Sequence, residues 1–282
     1  MAWSNTAREI SSPVRQEDLI FDIGMNICED TDFYLRKGFR VVAVEANPTA
    51  CAAAEARYPA EIASGQLTVL NKAISDRDTP LHFFVCKTMS AWSTASQKLR
   101  DHWAQQGAIF DDIQVSAITT ADLVRSYGLP HYAKIDIEGF DLICLNGFRA
   151  AQAAPDYVSV EVDFYAIDPM LEALSELGYR RFALVGQAGI AGQTAPESAR
   201  EGHSVPYVFD RGCSGLFGRE LPSAWTDRKQ IRSQCADVVR QYRLAGLLGR
   251  FKKVPGLGRA VDRLSTQSLP LAQDWYDIHA AL

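Results

Sequence analysis

At 282 residues the chain is long enough to bury a substantial core. Its 47% hydrophobic and 22% charged content is that of an ordinary globular protein, one domain with decoration rather than two equal ones. The net charge of -5 argues against nucleic acid as a partner. Met1–Gln16 is polar and lacks a signal-peptide core, no apolar run reaches the roughly 20 residues that span a bilayer, and the six cysteines are scattered without a CxxC pair. Together these point to a cytoplasmic protein with reduced thiols, and they exclude a disulfide or zinc framework.

The first element is the apolar run Leu19–Ile23, which reads as a buried parallel strand ending at Gly24. A helix follows from about Glu29 to Lys37, closed by Gly38. Arg40–Glu45 is a β-branched strand, Ala50–Tyr58 an alanine-rich helix closed by Pro59, and Leu67–Asn71 a third strand. This β-α-β-α-β order implies a parallel sheet with right-handed crossovers.

Residues 75–118 are less regular, with a strand at Leu81–Val85 and a loop with a short helix over Ser90–Asp112. Regularity returns with a helix at Thr120–Tyr127, a strand at Tyr132–Ile137 and a helix at Asp141–Phe148. A strand at Tyr157–Val162, a helix at Pro169–Leu177 and a strand at Arg180–Val185 complete the alternation. Residues 186–203 are rich in Gly, Ala and Ser and read as a mobile surface loop, with Val205–Phe209 as a last strand.

The chain therefore divides into an α/β domain over residues 1–222, with insertions near 75–118 and 186–204, and a basic helical extension over 223–282. Residues 226–282 hold ten Lys/Arg against five Asp/Glu, whereas the rest of the chain is net -10. A helical hairpin broken at Pro255-Gly256 is expected in the extension. Basic amphipathic helices lie on membranes or bind acidic partners, but the expected use here is docking on the protein's own core or homodimerisation.

Ligands of open α/β sheets sit at the carboxyl ends of the strands. Asp22, Gly24 and Asn26 lie at the end of strand one, Glu45 at the end of strand two and Asn71 at the end of strand three. Glu45 lies 21 residues beyond Gly24, close to the ~20-residue offset at which an acid accepts ribose hydroxyls. Asn71 is placed to contact an adenine. A dinucleotide site would need G-x-G-x-x-G, but Asn26 and Cys28 stand where further glycines belong. Asp22 would repel a pyrophosphate and suit the amino group of a methionine moiety, which favours S-adenosylmethionine over a nicotinamide cofactor.

Lys134, Asp136 and Glu138 follow one another at a period of two at the end of strand four, and Glu161 and Asp163 end strand five. If the strands are neighbours, up to four carboxylates converge beside the methyl position. Asp136 is the first choice for the transfer site, with Glu138 and Glu161 as base or orienting groups. The same oxygens offer an alternative, a divalent cation such as magnesium at Asp136, Glu161 and Asp163.

Ser90 and Trp92 lie in the middle insertion. Trp92 is a candidate to stack on cofactor or acceptor, and the hydroxyls to bond the methionine carboxylate. Trp103 and Phe110 are candidates for an apolar acceptor wall. His82 reads as a core residue and His102 and His131 as surface positions, while His203, at the end of the loop, is either an ordinary loop residue or a candidate to fold over the acceptor.

As a set, the runs Asp22-Ile23-Gly24-Met25-Asn26-Ile27-Cys28-Glu29-Asp30-Thr31, Val42–Pro48, Asn71–Ile74 and Lys134–Gly139 resemble the FkbM-type S-adenosylmethionine-dependent methyltransferases. The similarity runs from about Leu19 to Val162, and Ser214–Pro222 resembles a loop of the same family. The resemblance implies a Rossmann-like class I methyltransferase fold with a mostly parallel seven-stranded sheet and helices on both faces. It also implies O-methylation of a sugar or secondary-metabolite hydroxyl. It adds Met25, Thr31, Ala46, Asn47 and Ala73 to the cofactor residues. One departure is Cys28, where the family generally has glycine. A cysteine in the left-handed region costs roughly 1 kcal/mol or more. Two other readings stand beside this one: a nicotinamide-dependent oxidoreductase on the same topology, and a scaffold that has lost cofactor binding.

Overall fold

The computed structural model of the chain describes residues 14–164, 166–251 and 275–282. The chain opens with β1 (Arg15–Ile23), α1 (Thr31–Arg36), β2 (Arg40–Glu45), α2 (Pro48–Arg57), α3 (Pro59–Ala63) and β3 (Leu67–Asn71). The middle insertion holds β4 (Ala73–Ile74), β5 (Leu81–Cys86), a 3₁₀ turn at Ser90–Trp92, α4 (Gln97–Gln105), β6 (Phe110–Val115) and β7 (Ala117–Ile118). Then come α5 (Thr120–Tyr127), β8 (Leu129–Ile135), α6 (Asp141–Ala150), β9 (Tyr157–Glu161), α7 (Ile167–Glu176), β10 (Arg181–Gly186), α8 (Arg228–Phe251) and β11 (Tyr276–Ala281).

The central sheet has seven strands in the order β10-β11-β9-β8-β1-β2-β3, and the order reverses between β1 and β8. Its pairings are parallel except for β11, which runs antiparallel between β9 and β10. This is the expected α/β architecture, with a crevice at the carboxyl ends of β1 and β8 where the strand order turns back.

β11 overturns the division at residue 222. Residues 276–281 are buried in the domain's own sheet, so 223–282 is not a separate helical extension. Sequence pattern did not reveal this strand because Asp277 and His279 interrupt the apolar residues that would announce it. Val205–Phe209 is not a strand either, and makes only the isolated bridge Thr194–Val208. Pro255-Gly256 lies outside the described residues.

One face of the sheet is covered by α5, α6, α7 and the first half of α8, whose Ile231, Cys235 and Val238 are buried. The other face is covered by α1, by α2 and by the irregular segment 187–222, which contributes Ile190, Phe209 and Phe217. That segment, expected to be a mobile surface loop, is a wall of the core. A buried ion pair between Lys37 and Glu220 (2.9 Å) fastens it to α1. His131, expected at the surface, is buried between Asp156 and Glu201 at 2.8 Å each. His82 shows the opposite error. It stands on the β5–β6 hairpin, outside the main sheet, and its exposed ring pairs with Asp112 at 3.0 Å.

All six cysteines are unpaired and buried. Burial pushes the thiols of Cys28, Cys51, Cys144, Cys213 and Cys235 up to about 12, far from the thiolate that disulfide reagents need. Ellman's reagent at pH 8 is therefore expected to find almost no thiol in the folded protein and all six after guanidinium unfolding. Rapid reaction of several thiols in native buffer would contradict this packing.

Candidate active site

The main cavity, of about 620 Å³, opens at the carboxyl ends of β1, β2, β8 and β9, with the middle insertion forming its far wall. That volume is ordinary for a small-molecule site.

At the end of β1 the backbone turns through Gly24 (φ 87°), where an added Cβ would stand 1.8 Å from the carbonyl oxygen of Asp136. No side chain fits there, so β1 and β8 approach closely and their ends share one crevice. The following turn carries two non-glycine residues in the left-handed region, Asn26 (φ 47°) and Cys28 (φ 68°), and Glu138 (φ 44°) opposes them across the crevice. Strained backbone of this kind clusters at binding and catalytic sites. Cys28 itself is buried beneath the turn and does not line the cavity.

Glu45, at the end of β2, lines the cavity while its carboxylate braces two loops. One oxygen accepts from the Asn26 backbone N–H (3.0 Å) and the other from that of Asn47 (2.7 Å). Burial raises its pKa to about 7, against the pull of these hydrogen bonds. Such a carboxylate has lone pairs left for incoming hydroxyl donors, which would favour its charged form. Ala46, Ala73, Ile74 and Phe83 add apolar lining, three of them packed in one small cluster (Ala46, Ala73 and Phe83).

Several expected cofactor residues stand elsewhere. Asp22 is fully buried behind the cavity, 2.5 Å from the Thr31 hydroxyl and 3.8 Å from the Lys134 ammonium. The pleat turns its side chain toward α1, so Asp22 and Thr31 support the turn and do not line the cavity. Glu29, named in the motif but given no role, lines it in their place. Met25 is likewise buried under the loop. Asn47 caps α2 through its side chain, which accepts from the Thr49 backbone N–H at 3.0 Å. Asn71 ties the ends of β2 and β3 by donating to the carbonyls of Glu45 and Ala46, leaving its neighbours Lys72 and Ala73 to face the cavity.

The carboxylate cluster is three residues, not four. Asp136, Glu138 and Glu161 all line the cavity, and each offers an oxygen within 4.8 Å of the others. Asp163 does not join them, because β9 ends at Glu161 and the chain turns away to an exposed position. Lys134 lies under the cluster, 3.4 Å from Asp136, 3.6 Å from Asp30 and donating to the Gly24 carbonyl at 3.1 Å. Burial works against its charge, yet Asp136, Asp22 and Asp30 outweigh it and hold its pKa well above the ordinary value. Burial, then the neighbouring Asp136, raises Glu138 to about 8, and the same causes push Glu161 well above the carboxylate range.

Ser90 and Trp92 line the cavity, and Trp92 stacks on Trp103 with ring centres 4.4 Å apart and planes 3° from parallel. Trp103 lines it too, whereas Phe110 pairs with Cys86 away from the opening. His203 does not reach over the site. Its ring rests on Gly38 and its backbone N–H donates to the Lys37 carbonyl, at the amino end of β2. Arg211 and Gly212 from the covering segment and Trp275 at the start of β11 complete the opening. None of these three carries a sequence signal, because each is brought to the site only by tertiary packing.

A family model described as the methyltransferase FkbM domain matches residues 22–181. No curated protein sequence matches the chain. Among solved structures, precorrin-6y C5,15-methyltransferase from Geobacter metallireducens aligns at 11% identity over 94% of this chain and 80% of its own, with a TM-score of 0.36. An S-adenosylmethionine-dependent methyltransferase from Geobacter sulfurreducens, in complex with S-adenosylhomocysteine, aligns at 10% identity over 95% and 85%, with a TM-score of 0.33. The family match begins at Asp22 in β1, ends at Arg181 in β10 and takes in Gly24, Glu45, Asp136 and Glu161 on the way. The chain belongs to the FkbM family of S-adenosylmethionine-dependent methyltransferases.

Proposed function

We propose that this protein methylates a hydroxyl of a small acceptor, a sugar or a secondary metabolite, in the reducing interior of the cell. The observation that carries the reading is the trio Asp136, Glu138 and Glu161 at the ends of β8 and β9, in the cavity that Glu45 at the end of β2 and apolar residues also line.

The residues present suit the cofactor. Glu45 would accept its ribose hydroxyls, Ala46, Ala73, Ile74 and Phe83 would enclose its adenine, and Glu29 and Ser90, which line the same cavity, would take its methionine end. The acids around this turn favour a cationic ligand over a pyrophosphate, which weighs against the nicotinamide reading. When bound, S-adenosylmethionine supplies an electrophilic methyl group on a sulfonium.

The chain's own contribution is positioning, exclusion of water and removal of one proton. Trp92 and Trp103 give the acceptor a rigid apolar wall. Glu138 or Glu161, both with pKa values raised by burial and neighbouring acids, would take the proton from the acceptor hydroxyl and so prepare its oxygen to receive the methyl group that the cofactor gives up as S-adenosylhomocysteine. Asp136, held by Lys134, orients that hydroxyl. A second reading gives the same trio a divalent cation, because three carboxylate oxygens this close are a hard-oxygen donor set. The cation would then polarise the hydroxyl.

Incubation with methyl-labelled cofactor and a panel of glycosides and hydroxylated metabolites, with and without EDTA, tests both. Label transferred to a hydroxyl supports the proposal, and loss of transfer in EDTA restored by magnesium selects the metal reading. Label found only on nitrogen or carbon would overturn O-methylation. S-adenosylhomocysteine that gives no calorimetric signal would favour the scaffold alternative.

A further inference from the structure

We propose that Thr94, in the middle insertion, is a positioning residue that holds the Glu138–Gly139 turn and so keeps the Glu138 carboxylate in the cavity. Glu138 stands in the left-handed region (φ 44°) and is followed by Gly139 (φ 92°). A residue with a side chain is strained there, and the strain persists only where neighbouring groups hold it. On either side of Glu138 the Asp141 carboxylate does so, accepting from the backbone N–H of Ile137 at 3.1 Å and of Gly139 at 3.2 Å. The carbonyl of Glu138 itself is held by the Thr94 hydroxyl, which donates to it at 2.8 Å.

Thr94 is itself firmly held. It is buried, and its backbone exchanges two hydrogen bonds with Phe84 of β5, at 2.9 and 3.1 Å. Its hydroxyl also accepts from the Ser96 backbone N–H at 2.9 Å, so its single proton is committed to the Glu138 carbonyl. α4 closes on the same turn, where a Cβ added to Gly139 would meet Leu99 at 3.0 Å. Asp141 adjoins the turn along the chain, whereas Thr94 reaches it across 44 residues.

The insertion thereby joins two tasks. Trp92, two residues before Thr94, stacks on Trp103 of α4, and both rings line the cavity. The wall against which the acceptor would rest and the hold on Glu138 belong to one tied segment. Without that hold Glu138 is free to relax to ordinary backbone, and its carboxylate would leave the group it forms with Asp136 and Glu161. Misplacing a reacting group by about an ångström costs on the order of 100-fold in rate. The effect on rate rests on the reading of Glu138 as a base, but the hold on the turn does not.

Crystal structures of Thr94→Val and Thr94→Ser test the hold directly. In Thr94→Val, which keeps the shape but loses the proton, Glu138 should leave the left-handed region and its carboxylate should move away from Asp136. In Thr94→Ser neither should change, and both variants should keep S-adenosylhomocysteine affinity within a few-fold of wild type. Thr94→Cys, whose thiol donates weakly, should give a smaller displacement and serves in place of a valine variant that does not fold. With the hydroxyl acceptor found in the labelled panel, kcat should fall about 10- to 100-fold in Thr94→Val at unchanged KM and recover in Thr94→Ser. In a Glu138→Gln background Thr94→Val should cost nothing further, whereas a merely structural role would multiply the two losses. An unmoved Glu138 in Thr94→Val, multiplied losses, or no recovery in Thr94→Ser would overturn the proposal. If O-methylation itself were wrong, no hydroxyl would take label while the crystal structures still showed whether Thr94 holds the turn, so the two failures are distinguishable.

Discussion

Asp136→Asn is expected to lower methyl transfer on the order of 100-fold or more while leaving affinity for S-adenosylhomocysteine within a few-fold of wild type. The residue faces the cavity at the turning point of the sheet, and its charge acts on both of its neighbours. Removing that charge also releases the repulsion that helps hold Glu138 near 8. The variant should therefore show its residual activity with a pH profile moved toward acid. The sign is fixed by the role: a base must be unprotonated, so with a pKa raised to about 8 the wild-type rate climbs as pH rises toward 8. Glu138→Gln should flatten that rise. A profile in Glu138→Gln that keeps the same ascending limb would transfer the base role to Glu161. Wild-type turnover in Asp136→Asn would remove Asp136 from the mechanism.

The start of the molecule is legible because the end of β1 and the whole middle of β2 are buried and read as unbroken apolar runs. Arg40–Glu45 and Leu67–Asn71 were read to the residue. The polar residue at the end of each run marked the crevice, which is how Gly24 and Glu45 were found. What sequence pattern does not record is the direction in which a side chain leaves the backbone. Asp22 and Glu29 both flank the same turn, yet only Glu29 faces the cavity, because the pleat sends Asp22 inward to Thr31 and Lys134. His82 and His131 exchanged their expected environments for a similar reason. An apolar stretch says that a strand has a buried side, not which residues occupy it. β11 was hidden more completely. Its place between β9 and β10 is a long-range pairing, and it buries the polar Asp277 and His279 opposite Glu161 and Ser159, which no apolar pattern announces. Arg211, Gly212 and Trp275 reach the cavity through that same packing.

Glu45→Ala is the substitution expected to act hardest on the cofactor, weakening S-adenosylhomocysteine binding about 100-fold in titration calorimetry. Hydrogen bonds to a charged group contribute about 1.5–3 kcal/mol each, and two ribose hydroxyls would converge on this carboxylate. The same side chain also braces the backbone of Asn26 and Asn47, so alanine removes the ligand's acceptor and loosens the loop that holds it. Glu45→Gln separates the two effects. Its amide oxygen still accepts one bond, while its NH₂ group faces a backbone N–H that it cannot satisfy. Binding should therefore fall by an intermediate amount. Proton linkage gives an independent reading. Glu45 sits near 7 in the free protein, and hydroxyl donors would favour its ionised form, so cofactor binding near pH 7 should release protons. Calorimetry in buffers of different ionisation enthalpy would show that release in the wild type and its loss in Glu45→Gln. Unchanged affinity and unchanged proton release in both variants would detach Glu45 from the ribose and leave it as a brace for the loop.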